Sequence, residues 1–288
     1  MAQDIVYLNG SFLPVHEARV SVMDRGFLFG DGVYEVIPVY GGRAFRLEHH
    51  LQRLGLSLQG IRIGNPLDQA QWSDILTALI RQNGGGDQSL YLQVTRGVAP
   101  RRDHAFPAGV QPTVFAMSTP LTEPEAAVQS GISAVTVTDI RWQLCNIKAI
   151  TLLPNVLMRQ QAIDAGAAEA ILLRDGNATE GSASNVFIVR DGVVLTPPKS
   201  NLLLPGITRD LAVELCHANH IPCREADISA AQLRSADEVW VTSSTREVVP
   251  VTQLDGQPIG NGRPGPLWQR VSALYSAYKQ DFRAGKVH

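Results

Sequence analysis

The sequence predicts an α+β fold divided into two domains. Strand-like apolar runs, and helical runs with apolar residues every three or four positions, occur in both halves of the chain. Between the halves, the segment 119–124 reads Thr-Pro-Leu-Thr-Glu-Pro, which is polar, carries two prolines and has no periodicity. We therefore predict an N-terminal α+β domain over 1–120 and a C-terminal α+β domain over 125–288.

The predicted N-terminal domain combines short strands with two helices. Leucines at three- and four-residue intervals over 47–58 predict the first helix. The same spacing of apolar residues over 72–80 predicts the second, which begins after Asp68 and ends at the glycines 84–86. The glycine pair 41–42 predicts a tight turn. Strands are predicted at 5–8, 19–22, 33–40, 43–47, 90–95 and 112–117.

The predicted C-terminal domain has a similar mixture of elements. A proline in the first turn supports a helix over 154–165. Ile207, Leu211 and Leu215 form one apolar stripe and support a helix over 208–219. A terminal helix is predicted over 266–282, and strands are predicted at 134–138, 170–173, 186–189 and 239–242.

Composition restricts the classes of partner. A net charge of −2 with scattered Lys and Arg gives no electrostatic footprint for nucleic acid or an anionic membrane. No apolar run approaches the roughly 20 residues that cross a bilayer, and no targeting segment is recognisable. The sequence therefore predicts no nucleic-acid partner, no membrane partner and a cytoplasmic location.

Lys148 lies in an apolar stretch with Ile147, Ala149 and Ile150. Partial desolvation disfavours the ammonium form and provides a nucleophilic amine, which forms Schiff bases with carbonyl compounds. The alternative is a surface lysine whose stem lies along apolar neighbours, and the flanking residues alone favour that alternative.

The sequence places Glu180 in a turn after a predicted strand. Together with Lys148, this carboxylate indicates a candidate site for pyridoxal phosphate. Pyridoxal phosphate withdraws electrons best when its ring nitrogen is protonated, and a carboxylate beside that nitrogen holds the proton. Its phosphate needs backbone donors, which the glycine turn 204–209 could supply at the start of a helix, with more donors at 243–245. Alternatively, Thr208 is only a helix cap and the serine run only a turn.

Three separated segments resemble the fold-type IV pyridoxal phosphate enzymes. They are Asp-Arg-Gly-Phe-Leu-Phe-Gly-Asp-Gly-Val-Tyr-Glu at 24–35, Asp-Ile-Arg-Trp at 139–142 running on to Lys148, and Glu-Gly-Ser-Ala-Ser-Asn-Val-Phe at 180–187. The motifs occur in the family's order through nearly the whole chain and are most similar to those of D-amino acid aminotransferases. The resemblance implies a two-domain α+β subunit that holds the cofactor between its domains and works as a homodimer.

Position by position, the resemblance gives each matching residue a role. Lys148 would carry pyridoxal phosphate as a Schiff base, Glu180 would pair with the pyridine nitrogen and Arg53 would bind the phosphate. Tyr34 would face the substrate side of the cofactor, and no metal is required. Further cofactor contacts are implied at Ser184, Asn185, Leu204, Gly206, Ile207, Thr208, Ser243 and Ser244.

The segment 96–104 bears on the substrate class. D-amino acid aminotransferases use an Arg-x-His pair here to hold the substrate carboxylate, and Arg102 and His104 have that spacing. Two residues apart in an extended segment, their side chains would point the same way. Compared with the usual pattern of that family, this chain has one extra residue between Arg96 and His104. Either Arg101 or Arg102 would therefore bind the substrate carboxylate.

The implied reaction is ping-pong transamination between a D-amino acid donor and a 2-oxo acid acceptor. Branched-chain aminotransferases carry an arginine soon after the dipeptide that corresponds to Tyr34-Glu35, whereas here Val-Ile-Pro follows. Aminodeoxychorismate lyases and (R)-selective amine aminotransferases remain alternatives, although both generally lack the Arg-x-His pair. A cofactor-free binding protein of the same fold would be expected to lose Lys148 or Glu180, and both are present.

Overall fold

The computed structural model of the protein describes residues 4–121 and 130–287. The chain divides into two compact units, of which the first comprises Met1–Thr122, Ile147–Thr151 and Phe282–His288, and the second Glu123–Asn146 and Leu152–Asp281. Each unit contains both helices and strands, which confirms the predicted α+β class.

The predicted domain boundary falls mostly on residues that the structure does not describe. Thr122, Glu123 and Pro124 of the predicted linker lie outside the described residues, so the boundary stays a prediction. Although Lys148 follows that boundary in the sequence, its segment Ile147–Thr151 groups with the first unit.

The first unit is built on a six-stranded antiparallel sheet. Its strands are β1 (Ile5–Leu8), β2 (Ser11–Pro14), β3 (Gly32–Tyr40), β4 (Arg43–Ala44), β5 (Gln88–Thr95) and β6 (Thr113–Pro120), and their order across the sheet is β2-β1-β6-β5-β3-β4. The helices are α1 (Arg25–Phe29), α2 (Leu47–Gly60) and α3 (Gln69–Gln82). The apolar faces of α2 and α3 are buried with those of β3, β5 and β6 in one hydrophobic core.

Local sequence explains where these helices begin. The Asp68 side chain accepts from the backbone N–H of Gln71, and the Gln71 side chain accepts from the backbone N–H of Asp68. This capping box satisfies two amide groups at the start of α3. Arg46 adopts φ 50° at the start of α2, which ends β4 after two residues instead of the five predicted.

The prediction of a strand at 19–22 is wrong, and α1 was not predicted. The Asp24 side chain accepts from Gly26 N at 2.7 Å, and Gly30 ends the helix at φ 65°. A carboxylate cap and a left-handed glycine thus enclose a five-residue helix, which is too short to show helical periodicity.

The second unit contains a ten-stranded mixed sheet. Its strands are β7 (Ile132–Thr138), β8 (Glu169–Arg174), β9 (Asn177–Gly181), β10 (Asn185–Arg190), β11 (Val193–Thr196), β12 (Cys223–Glu225), β13 (Ile228–Ser229), β14 (Glu238–Ser243), β15 (Glu247–Leu254) and β16 (Gln257–Pro258). The order is β12-β11-β10-β14-β15-β7-β8-β9-β13, with β16 beside β15. The pairs β7–β8, β7–β15 and β11–β12 are parallel.

The described part of the chain that follows β7 also contains helices. They are α4 (Leu153–Asp164), α5 (Ile207–Ala218), α6 (Ala230–Arg234) and α7 (Pro266–Arg283), the last of which ends in residues that group with the first unit. Each of the three predicted helices is present to within a residue or two. None of the described helices combines the length and apolarity needed to cross a membrane.

Candidate active site

The main chain of Lys148 is fixed against β3 and α2 of the first unit. Tyr34 N donates to Lys148 O and Ile150 N donates to Gly32 O, each at 3.0 Å. On the other side, Lys148 N donates to Ser57 Oγ at 3.1 Å. The lysine segment therefore lies along β3 like a short additional strand.

The Lys148 side chain lies over an aromatic face. Its Nζ is 4.2 Å from the centroid of the Tyr34 ring, and both residues are half-buried. Tyr34 in turn stacks on Tyr91, with centroids 5.7 Å apart, and Tyr91 Oη donates to Gln93 Oε1 at 2.7 Å. Burial, with a smaller effect of Tyr34, raises the pKa of Tyr91 to about 12, so this hydroxyl keeps its proton. The structure thus brings Lys148 and Tyr34 together.

Arg53 is held by a carboxylate that the sequence did not single out. Its Nε and Nη2 donate to the two carboxylate oxygens of Glu35, each at 2.7 Å. His50 Nδ1 lies 2.7 Å from Glu35 Oε2, and it must be the donor because an ionised carboxylate only accepts. The spacing of His50 and Arg53, three residues apart on α2, was the available signal for one shared partner.

The buried charges of this group have opposing effects on pKa. Burial alone would raise the pKa of Glu35, but the charge and hydrogen bonds of Arg53, with the hydrogen bond of His50, lower it to about 2. Burial lowers the pKa of His50, which keeps the imidazole neutral at neutral pH. Arg53 therefore faces an anion that fixes its orientation.

Arg102 and His104 converge on one ring in the first unit. The guanidinium carbon of Arg102 lies 5.0 Å from the centroid of Phe29, and the His104 ring lies 5.3 Å from it. Arg101 instead approaches Asp103 at 3.7 Å, and Arg101, Arg102 and His104 are all exposed. Within the described part of this unit, no hydrogen bond or ring contact joins Arg102 or His104 to Lys148.

Glu180 lies in strand β9 of the second unit, so its predicted position in a turn is wrong. The strand reads Asn-Ala-Thr-Glu-Gly, which lacks the apolar alternation that would have indicated it. The buried carboxylate accepts from Arg141 Nη1, from Asn185 Nδ2 at 3.2 Å and from Leu204 N at 3.1 Å. Three separate segments of the unit therefore fix its position.

Arg141 belongs to the family motif at 139–142, for which the sequence suggested no role, and the structure indicates one. Asp139 accepts from Arg141 Nε and Nη2, each at 2.9 Å, so the guanidinium is held in place while Nη1 pairs with Glu180. Burial alone would lower the pKa of Arg141, but Asp139 and Glu180 raise it. A permanent positive charge thus lies beside the Glu180 carboxylate.

The N-terminus of α5 has the form expected for anion binding. Gly206 is its N-cap residue, and no side chain of the described residues caps the helix. A Cβ added at Gly206 would lie 1.9 Å from Asn185 Oδ1, so only glycine fits beside that side chain. The next residues, Ile207 and Thr208, are buried, and their amide groups lie at the positive end of the helix dipole.

Ser184 is tied to a buried carboxylate that sequence reasoning missed. Its Oγ donates to Glu169 Oε2 at 3.0 Å, and Ser182 Oγ donates to Glu169 Oε1 at 2.5 Å. Arg246 also pairs with Glu169. Glu169 thereby connects the turn after β9 with the turn between β14 and β15. Ser243, the last residue of β14, and Ser244, in that turn, are half-buried.

Residues 32–254 match the family model described as amino-transferase class IV. The chain belongs to the class IV aminotransferase family. The D-alanine aminotransferase of Bacillus licheniformis is 46% identical over 266 residues, 92% of this chain and 94% of that protein. The one from Staphylococcus haemolyticus is 38% identical over 274 residues, 95% of this chain and 97% of that protein. A crystal structure of the branched-chain aminotransferase of the thermophilic archaeon Thermoproteus uzoniensis, with norvaline, has a TM-score of 0.88 at 27% identity, covering 99% of this chain and 96% of that one.

This class IV aminotransferase uses pyridoxal phosphate, as the sequence predicted. The residues present fit that group. A half-buried amine at Lys148 suits its aldehyde, a fixed carboxylate at Glu180 suits its ring nitrogen, and the uncapped helix start at Gly206 suits its phosphate. Family and cofactor are thus confirmed, whereas the individual residue roles stay predictions.

Proposed function

We propose that this class IV aminotransferase transfers an amino group between a D-amino acid and a 2-oxo acid in a ping-pong reaction. D-Alanine aminotransferases match nearly the whole chain at 36–46% identity, whereas the branched-chain enzymes that share the fold are 26–29% identical. The observation in the chain that carries the proposal is the convergence of Arg102 and His104 on Phe29, because the Arg-x-His pair is the feature that separates D-amino acid aminotransferases from their relatives.

Lys148 moves the proton in the proposed mechanism. Pyridoxal phosphate supplies an aldehyde that takes up the amino group and a ring that withdraws electrons from the substrate α-carbon. Lys148 Nζ would hold the cofactor through its aldehyde carbon when no substrate is bound. With substrate bound, the free Nζ would act as the general base that takes up and returns the α-proton. The Tyr34 ring, 4.2 Å away, holds this amine in position.

Glu180 holds the proton of the ring nitrogen. Its carboxylate accepts that N–H, and Arg141, Asn185 and Leu204 N direct it. Because these groups are fixed before substrate binds, no reorganisation is needed when charge develops on the ring.

The phosphate is bound by backbone and side-chain donors. The amide groups of Ile207 and Thr208 follow Gly206 at the start of α5, and the Thr208 hydroxyl adds a donor. Arg53, oriented by Glu35, supplies the positive charge. Hydroxyl groups at Ser243 and Ser244 complete the set.

The substrate carboxylate is bound by Arg102 and His104. A guanidinium offers parallel N–H donors that match a carboxylate, and the imidazole adds another donor. Arg101 approaches Asp103, whereas Arg102 lies against Phe29 beside His104, which favours Arg102 as the arginine of the pair.

The deciding experiment compares three amino donors on the purified protein. With 2-oxoglutarate as acceptor, we expect kcat/KM for D-alanine to exceed that for L-leucine or (R)-1-phenylethylamine by about 100-fold or more. The visible absorption of the bound cofactor should disappear in Lys148→Ala. Faster turnover of L-leucine or of the amine would assign the chain to one of the alternative activities.

We also propose that the enzyme is a cytoplasmic homodimer. Large apolar side chains are exposed on the first unit, among them Val22 at 68% and Phe27 at 74%. Exposed apolar side chains of this size support a surface that a second copy covers. Cell fractionation tests the location.

A further inference from the structure

We propose that Arg25 is the positioning residue of the loop 101–106, and that it thereby sets the affinity for the substrate carboxylate. The proposal rests on the proposed role of Arg102 and His104. It assigns Arg25 no contact with the reacting atoms.

Arg25 binds the main chain of the loop at three consecutive residues. Its Nη1 donates to Asp103 O at 2.5 Å and to Ala105 O at 3.4 Å, and its Nη2 donates to His104 O at 3.3 Å. The backbone on both sides of His104 is therefore held by one guanidinium. A planar fork of donors can make this set of contacts, whereas the single ammonium of a lysine cannot.

Arg25 also contacts the ring on which the loop side chains converge. Its guanidinium carbon lies 4.8 Å from the centroid of Phe29, the ring that Arg102 approaches to 5.0 Å and His104 to 5.3 Å. Phe29 belongs to the same short helix as Arg25. One helix thus fixes both the backbone of the loop and the direction of its two side chains.

Arg25 is itself held rigidly. It is buried, its backbone N donates to Gly97 O at 2.9 Å, and its Nε donates to Asp31 Oδ2 at 2.7 Å. Asp31 also accepts from Arg96 at 2.7 Å, and Arg96 lies 3.7 Å from the ring centroid of Phe106 at the end of the loop. Burial alone would raise the pKa of Asp31, but Arg96 and Arg25 lower it. Asp31 therefore anchors the loop in two places. Arg25 links it to the backbone at 103–105, and Arg96 links it to the ring of Phe106.

These contacts predict a particular kinetic effect. Within the described residues, no hydrogen bond, ion pair or ring contact joins Arg25 to Lys148, Tyr34 or Arg53. Loss of the guanidinium N–H donors of Arg25 should therefore weaken substrate binding without changing proton transfer or cofactor binding.

The test compares two single variants, Arg25→Lys and Phe29→Leu, with the wild type. Phe29→Leu leaves the buried charges in place. We expect KM for D-alanine to rise about tenfold or more in each. Neither kcat nor the dissociation constant of pyridoxal phosphate should change by more than about twofold. Arg43→Lys is the matched control, because Arg43 likewise donates to a backbone carbonyl, Phe282 O at 2.6 Å, and lies 4.6 Å from a phenylalanine ring centroid. Its KM should equal that of the wild type.

Two kinetic results would overturn the proposal. One is an unchanged KM in Phe29→Leu and in folded Arg25→Lys, and the other is a loss of cofactor affinity as large as the rise in KM. Amide hydrogen exchange of 101–106 separates this proposal from the proposed function. If the wild type does not turn over D-alanine, the proposed function fails. Faster exchange of this loop in Arg25→Lys than in Arg43→Lys would still show that Arg25 holds the loop, and equal exchange would show that it does not.

Discussion

At the scale of single residues, the choice between Arg101 and Arg102 shows what spacing can and cannot decide. The sequence supplied an Arg-x-His spacing and one extra residue, which left two candidates. The proposed assignment to Arg102 rests on which side chain contacts Phe29, a residue more than 70 positions away in the chain. Arg102 meets it and Arg101 does not.

Removal of each arginine should therefore have a different effect. We expect Arg102→Ala to lower kcat/KM for D-alanine by about 10- to 100-fold, mainly through KM, because a charge-assisted contact to the carboxylate is lost. Arg101→Ala, the matched control, should stay within about twofold of the wild type. Steady-state kinetics with D-alanine checks both, and the opposite order would assign the role to Arg101.

Glu35 gives the fold a dependence on acid. Its folded pKa is about 2, below the ordinary value of 4.5. The unfolded chain therefore binds the proton more readily, and the carboxylate stabilises the fold fully above pH 4.5. That stabilisation is lost as the pH falls from 4.5 toward 2.

Glu35→Gln should remove this dependence. At pH 7 the free energy of unfolding should fall by about 3 kcal/mol, because Arg53 would keep a buried charge without its counter-ion. Between pH 4.5 and 2, urea unfolding of the variant should vary less with pH than that of the wild type. Exposed Glu48→Gln should stay within about 0.5 kcal/mol of the wild type, and an acid dependence as steep in Glu35→Gln as in the wild type would contradict the assignment.

At the scale of elements, periodicity predicted those with a long apolar face. The helices α2, α3, α5 and α7 were all indicated, because each buries several residues at helical spacing. By contrast, α1 depends on a cap at each end, and β9 is a polar strand paired on both sides. Both of these elements carry residues of the candidate site, where local sequence serves the site rather than the core. The sequence analysis also missed further elements, which are β2, β11, β12, β13, β15, β16 and α6.

The start of α5 provides a test of the cofactor-binding element. Gly206→Ala fits the backbone, whose φ is −71°, but the new Cβ would displace Asn185, which donates to Glu180 and to Leu204 O. We expect the affinity for pyridoxal phosphate to fall about tenfold or more. Equilibrium titration followed by cofactor absorption measures it.

Gly55→Ala in α2 is the matched control. A Cβ there meets nothing within 4 Å, so cofactor affinity should be unchanged and the helix should gain up to about 1 kcal/mol. Equal affinities in the two variants would remove α5 from the phosphate site.

At the scale of the whole molecule, the sequence predicted the α+β class, the family and the cofactor. It could not predict that Ile147–Thr151 belongs to the first unit. Patterns of apolar residues report local structure, whereas the pairing of Ala149 with Val33 joins residues 116 positions apart through backbone groups. Such pairing leaves no mark in periodicity.

The proposed homodimer can be tested through its exposed apolar residues. Light scattering should give twice the mass of one 31.2 kDa chain for the wild type. Phe27→Glu should shift the mass toward one chain, because a charge at a covered apolar position is not solvated. Ile163→Glu, an exposed apolar position on the second unit, is the control that should keep the mass of the wild type. A single-chain mass for the wild type would refute the dimer.

The segment 147–151 also determines how the enzyme can be made and divided. During synthesis, all six strands of the first sheet are made before Lys148. The lysine segment can therefore pair with β3 only after some thirty further residues have been added to the chain. A gene cut after codon 122 would yield one fragment with the Tyr34 ring and another with the lysine that lies over it. Neither unit can therefore be exchanged as one continuous segment without separating Lys148 from the Tyr34 ring.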